Sequence, residues 1–195
     1  MSNMDEQRPG SGIPTFERSA MKLALTVGVK FLSDARALKM FNVEAETIYD
    51  IIDDVDYDFA GQQVMVPRYQ GMEDSSRNWS MFMVLEHLCI VNQTILKLLD
   101  VLGSGVQPRG IIDIGDFKPD VNAGAESIDE FQLMVKTYNS QVNRLKPLKQ
   151  PHLHVRFAHP WFGDLDAHQW HCLAAFHMRI HRKQIRKIAA MQGVV

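Results

Sequence analysis

The sequence predicts an all-α domain, a four-helix bundle with long connections. Three observations carry this expectation. Four long segments repeat apolar residues at helical spacing, no two segments alternate convincingly as paired strands, and Gly/Pro-rich stretches separate the helical segments. Amphipathic helices bury their apolar stripes most economically against one another.

Residues 1–14 (MSNMDEQRPGSGIP) are polar and broken by Pro9, Gly10, Gly12 and Pro14. They are expected to form a mobile tail, with 15–192 as one domain. Thr15 is placed to cap a first helix, with Glu17 in its first turn. That helix is expected to reach about Leu38 on a face of Phe16, Ala20, Leu23, Val27 and Phe31. A short helix from Val43 to about Ile52 follows. Residues 61–78 read as loop, with a short extended piece at 63–67. The second long helix spans 78 to about 102 and is stopped by Gly103 and Gly105. After a Gly/Pro-rich connection, Ser127 and Glu130 have capping-box spacing for a third helix ending near Lys146. Its face is Phe131, Met134, Val135, Tyr138, Val142 and Leu145. Residues 147–163 read as irregular, and the fourth helix runs from Asp164 to about Gln192.

Composition narrows the function. At 195 residues and 46% apolar content, the chain can build a core without disulfides, and Cys89 and Cys172 fit a reducing, cytoplasmic setting. Basic residues number 21 and acidic residues 23, a net charge of −2 that argues against binding nucleic acid by phosphate neutralisation. No 18-residue apolar run exists, so no membrane span is expected. The apolar stretch 21–32 is interrupted by Lys30 and preceded by Asp5, Glu6 and Glu17, unlike a signal peptide. Asp54, Asp56 and Asp58 match the first positions of a calcium loop, but Phe59 and Met65 stand where glycine and glutamate are needed, so a solvated loop is expected.

The chemistry lies in the eight histidines. On the fourth helix, Trp170, Leu173, His177, Ile180, His181, Gln184, Ile188 and Met191 share one face, with His177 and His181 at its centre. His168 and His171 fall opposite, with Arg179, Arg182, Lys183 and Arg186, and are expected to be exposed. On the second helix, Ser80, Met83, Val84, His87, Ile90 and Val91 share a face centred on His87. The remaining three, His152, His154 and His159, fall in the loop before the fourth helix. An i, i+4 pair plus one imidazole from a facing helix makes a three-coordinate cap. Three protein ligands leave a position for water or substrate, the pattern of catalytic rather than structural zinc.

Trp79-Ser80 through Glu86-His87-Leu88 resembles the "W-S … H-L" second helix of the DinB-like superfamily. His159-Pro160-Trp161-Phe162-Gly163, followed by Trp170, His177, His181 and Gln184, is similar to the "H-P-x-F-G … W … H-x-x-x-H-x-x-Q" ending of one branch of unknown function. The resemblance spans about residues 15–190. It implies a four-helix bundle of the DinB-like type with a metal on His87, His177 and His181, the same three that helical geometry selects. The family includes thiol-dependent transferases and isomerases, so a low-molecular-weight thiol or another small-molecule substrate is the implied partner.

Gln184, one turn beyond the pair, is placed to bond a ligand imidazole, and Tyr138 is the polar-tipped aromatic that could donate to a bound water or substrate. The second helix has another apolar stripe, Phe82, Leu85, Cys89, Leu96 and Leu99, to be covered by this chain or by a homodimer partner. The stripe Arg179, Arg182, Lys183, Arg186 and Lys187 reads as a solvated face. The leading expectation is a protein binding one divalent transition metal (zinc, nickel, iron or manganese) and acting as an enzyme, of the thiol-dependent transferase or hydrolase type, on a small molecule. The competing readings are a non-catalytic metal-binding or stress-related protein, and a helical interaction module with core histidines.

Overall fold

The structure is a computed structural model and describes residues 13–148, 154–191 and 193. Its helices are α1 (Thr15–Thr26), α2 (Asp34–Asp53), α3 (Tyr57–Ala60), α4 (Met81–Gly103), α5 (Glu126–Leu145) and α6 (Ala167–Met191). Helices α2, α4, α5 and α6 form the four-helix bundle. Around the ring, α2 packs on α6, α6 on α4, α4 on α5 and α5 on α2. The α2-to-α4 and α5-to-α6 connections therefore cross the bundle diagonally, which explains their length.

Two short ribbons brace those crossings. Strand β1 (Val64–Met65) pairs antiparallel with β2 (Asn78–Trp79). Strand β3 (Phe157–His159) pairs antiparallel with β4 (Gly163–Leu165), so that His159 faces Gly163 across the turn. Gly163 takes φ 78°, a conformation that glycine adopts without penalty.

The first expected helix is corrected. It does not run to Leu38: α1 stops at Thr26, a 3-10 turn follows at Gly28–Phe31, and α2 starts afresh at Asp34. Ser33 caps α2 by accepting from the Arg36 N–H at 3.2 Å. The expected face of α1 points outward, with Phe16 84%, Leu23 62% and Phe31 85% exposed, while Leu25 and Val29 are buried. Helix α1 lies outside the bundle ring, and its apolar repeat runs on by coincidence across the break. The expected short helix at 43–52 is the second half of α2. Residues 1–12 of the expected tail lie outside the described residues, and Ile13 is buried.

Thr15 is the first residue of α1 and not its cap; Pro14 holds the cap position with no side-chain hydrogen bond. Ser80 caps α4, accepting from the Met83 N–H at 3.1 Å. The capping box expected at Ser127 does not form, because α5 begins earlier and the Ser127 hydroxyl donates to the Gly124 carbonyl at 2.8 Å. A reciprocal box forms instead at α6. Asp166 accepts from the Gln169 N–H at 2.9 Å, and Gln169 Oε1 accepts from the Asp166 N–H at 3.0 Å.

Helix α4 is long and apolar enough to cross a membrane by length and composition, and just over half of that stretch is buried in the bundle. Its second stripe, Phe82, Leu85, Cys89, Leu96 and Leu99, is buried within this one chain. The observation that motivated a homodimer is thus met by α5 packing on α4.

His168 and His171 correct a second expectation: both are buried. His168 donates from Nδ1 to Asp34 Oδ1 at 2.6 Å and from Nε2 to the Val29 carbonyl at 3.0 Å. His171 donates from Nε2 to the Asp34 carbonyl at 3.1 Å and accepts at Nδ1 from the Tyr138 hydroxyl at 2.9 Å. Asp34 Oδ2 also accepts from the Leu148 N–H at 2.9 Å. Burial alone would raise the Asp34 carboxyl, but His168 and the Leu148 N–H hold it below its ordinary value. Asp34→Ala leaves buried donors unpaired and is expected to cost about 3 kcal/mol. Urea denaturation measures it, and a change within 0.5 kcal/mol (roughly the noise of a surface substitution) would show that the Asp34 contacts add nothing net.

Candidate metal centre

His87 projects from α4, and His177 and His181 from α6, into one space. His177 Nε2 lies 3.1 Å from His87 Nε2 and 3.0 Å from His181 Nε2. The three ligand atoms all fall within 4.8 Å of one another. Trp79, placed by β2, packs on two of the rings, with centroids 4.9 Å from His87 and 6.0 Å from His181.

The neighbours fix two tautomers. His87 donates from Nδ1 to the Phe117 carbonyl at 2.6 Å. His181 donates from Nδ1 to Gln184 Oε1 at 2.9 Å, and Gln184 in turn donates to the Ser76 carbonyl at 2.7 Å. Both neutral rings therefore present an Nε2 lone pair to His177. A proton on His177 Nε2 could serve one of them and not both. His177 Nδ1 is buried without a partner. Burial disfavours protonation of all three rings, taking His87 down to about 4 and His177 and His181 well below their ordinary value.

This donor set fits a cation. Metal–nitrogen bonds of about 2.0–2.1 Å at tetrahedral angles place two nitrogens about 3.3 Å apart, close to the spacing seen. Outer-shell hydrogen bonds at Nδ1 set the tautomer a ligand needs. Gln184→Ala removes the acceptor of His181, and zinc affinity is expected to fall about 10-fold to 100-fold. Competition with a chromophoric chelator reads this, and unchanged affinity would show that Gln184 only packs.

The three rings form part of the wall of a cavity of about 320 Å³ whose other walls include Ile95, Phe162, Leu173 and Ile180. Helix α1 and the 68–71 loop form its rim. Glu17 takes both Arg68 amino groups at 3.0 and 2.6 Å and the Gly71 N–H at 3.3 Å. The three Nε2 atoms therefore border a space sized for a small ligand.

Other expected residues lie elsewhere. Tyr138 is fully buried, stacked on Phe41 with centroids 4.1 Å apart and bonded to His171, and it does not line the cavity. In place of the expected bound water or substrate, its hydroxyl bonds His171 at the α5–α6 junction. The basic stripe is not wholly solvated, because buried Glu44 accepts from Arg179 Nε and Arg182 Nε, both at 2.8 Å. Cys89 and Cys172 are both buried and not disulfide-bonded, and burial pushes the Cys89 thiol up to about 12, as suits a structural thiol. His152 lies outside the described residues.

His159 is a cavity residue that helical periodicity could not find, since it lies on β3. The Phe117 and Ser76 carbonyls, which hold His87 and Gln184, are backbone groups with no sequence signature.

No protein-family model matches this chain, and no curated protein matches it. Among solved structures, the chain is similar to TT2238, described as a four-helix bundle protein. The likeness has 19% sequence identity and a TM-score of 0.54, and covers 79% of this chain and 98% of that one. It supports the four-helix-bundle fold.

Proposed function

We propose that this protein is a metal-dependent enzyme of the DinB-like type that acts on a small molecule. The observation carrying this reading is the convergence of three neutral imidazole Nε2 atoms on an apolar cavity, two of them oriented by Nδ1 hydrogen bonds. A divalent transition ion held by His87, His177 and His181 would supply Lewis acidity to a substrate atom in its open position. The Phe117 carbonyl and Gln184 hold the rings, and Trp79 packs against them. A low-molecular-weight thiol is the co-substrate that the sequence resemblance favours.

The test is metal analysis of the chain purified without a nickel column or chelator. Close to one divalent transition ion per chain is expected, and none after His87, His177 and His181 are all replaced by alanine. Metal content that is negligible, or unchanged in the triple variant, would return the three rings to the role of core histidines. Thiol consumption with a panel of electrophiles, abolished by His177→Ala, would distinguish catalysis from binding alone.

A further inference from the structure

Beyond the three histidines, the mostly apolar cavity wall carries a few donors and cations. The Trp161 N–H donates to His159 Nδ1 at 3.1 Å. A backbone N–H can only donate, so the neutral His159 ring carries its proton on Nε2, which none of its hydrogen bonds uses. His159 and His177 line the same cavity. Trp170 forms part of the same wall, and its Nε1–H is buried without an acceptor. Lys118 directly follows Phe117, whose carbonyl orients His87; its ammonium is half-buried and, among the described residues, hydrogen-bonds the Ser75 carbonyl at a long 3.4 Å. Glu73 is the one carboxylate among the described lining residues, and its charge acts on Lys118.

Charge balance gives these donors a meaning. Three neutral imidazoles bring no negative charge to a divalent ion, and among the described residues no carboxylate or thiol joins their cluster. A dication in an apolar cavity is costly unless an anion accompanies it. From this imbalance and the unused donors we infer that the cavity binds a small molecule with an apolar body and a carboxylate head, the head lying between the three-histidine centre and the His159 Nε2–H and Lys118 ammonium. The inference rests on the metal reading above. His159 and Lys118 act as positioning residues that select an anion over a neutral isostere, while Ile95, Phe162 and Leu173 take the apolar body.

The experiment uses the full chain loaded with cobalt(II), whose visible absorption reports both metal uptake and changes in its coordination. Benzoate, benzamide and acetate are titrated separately, and calorimetry gives an independent affinity. Benzoate is expected to bind at least about tenfold more tightly than benzamide, the scale of one charge-assisted hydrogen bond, and also more tightly than acetate, which lacks the apolar body. Lys118→Met and His159→Phe should each retain cobalt and weaken benzoate by about tenfold, with benzamide unaffected. Benzoate binding no tighter than benzamide, or undiminished in both variants, would overturn the inference while leaving the metal centre standing. A chain that takes up no cobalt would overturn both.

Discussion

Chelating the ion at pH 7.5 is expected to lower the melting temperature by about 10 °C. An ion that binds only the folded chain stabilises it by mass action, by about 4 kcal/mol when free metal exceeds Kd a thousandfold. For a domain of this length each kcal/mol is worth roughly 2–4 °C. His177 joins the other two rings at 3.0 and 3.1 Å and leaves its own Nδ1 unpaired, so removing the ion leaves the lone pairs of His87 and His181 facing one neutral ring. In His177→Ala the gap between melts with and without chelator should close. Melts at fixed protein concentration decide the matter. Coincident wild-type curves would mean that the centre contributes nothing to folding.

Acid is expected to lower the melting temperature of the metal-free chain by roughly 15 °C between pH 6.5 and pH 4. Burial holds His159 and His171 down to about 4, although Asp34 partly opposes the shift at His171. In the unfolded chain both take up a proton near 6.5. Between those limits the unfolded state binds more protons, so stability is full above about pH 6.5 and is lost as pH falls toward 4. Each ring accounts for about 3 kcal/mol, and two rival the whole stability of an ordinary domain. Glu44 enters below this window. Burial would raise its carboxyl, but Arg179 and Arg182 hold it below its ordinary value, and its contribution is lost only as pH falls through that lowered value. His159→Phe should flatten the acid limb measurably. A melting temperature that stays level from pH 6.5 to 4.5 would contradict the buried, neutral state of these rings.

The three-histidine cluster was legible because its members sit where the 3.6-residue period puts core residues on α4 and α6. Helical phase alone separates His177 and His181 from Arg179 and Lys183. The same logic places His168 and His171 in solvent, because they share a face with Arg179 and Arg182 and hydrophobic period registers only apolar residues. The first turns of α6 are enclosed on the other side too: His168 meets the Val29 carbonyl, and Gln169 donates to the Leu25 carbonyl at 3.3 Å. Helix α1 and its following turn supply both carbonyls, and α1 was itself misread because its outward residues mimic a core stripe. Tyr138 is the polar-tipped aromatic of the apolar face of α5, and the period of that face cannot show that its hydroxyl meets His171. Strands of two or three residues are too short for alternation to register, so the β3–β4 turn that carries His159 read as irregular chain.

Asp34 also bears on which ions the centre can accept. It holds α6 through His168 and, by its own carbonyl, through His171, six residues before His177. A rotation of α6 by one residue, about 100°, would break both contacts. These contacts therefore help to set the rotational phase of the helix that carries His177 and His181. If the cluster holds an ion as proposed, it would discriminate by fit, favouring ions content with about 3 Å between neighbouring nitrogens and needing little reorganisation to load them. Ions that demand a flat, four-nitrogen or all-oxygen surround find neither the ligands nor the freedom to assemble them.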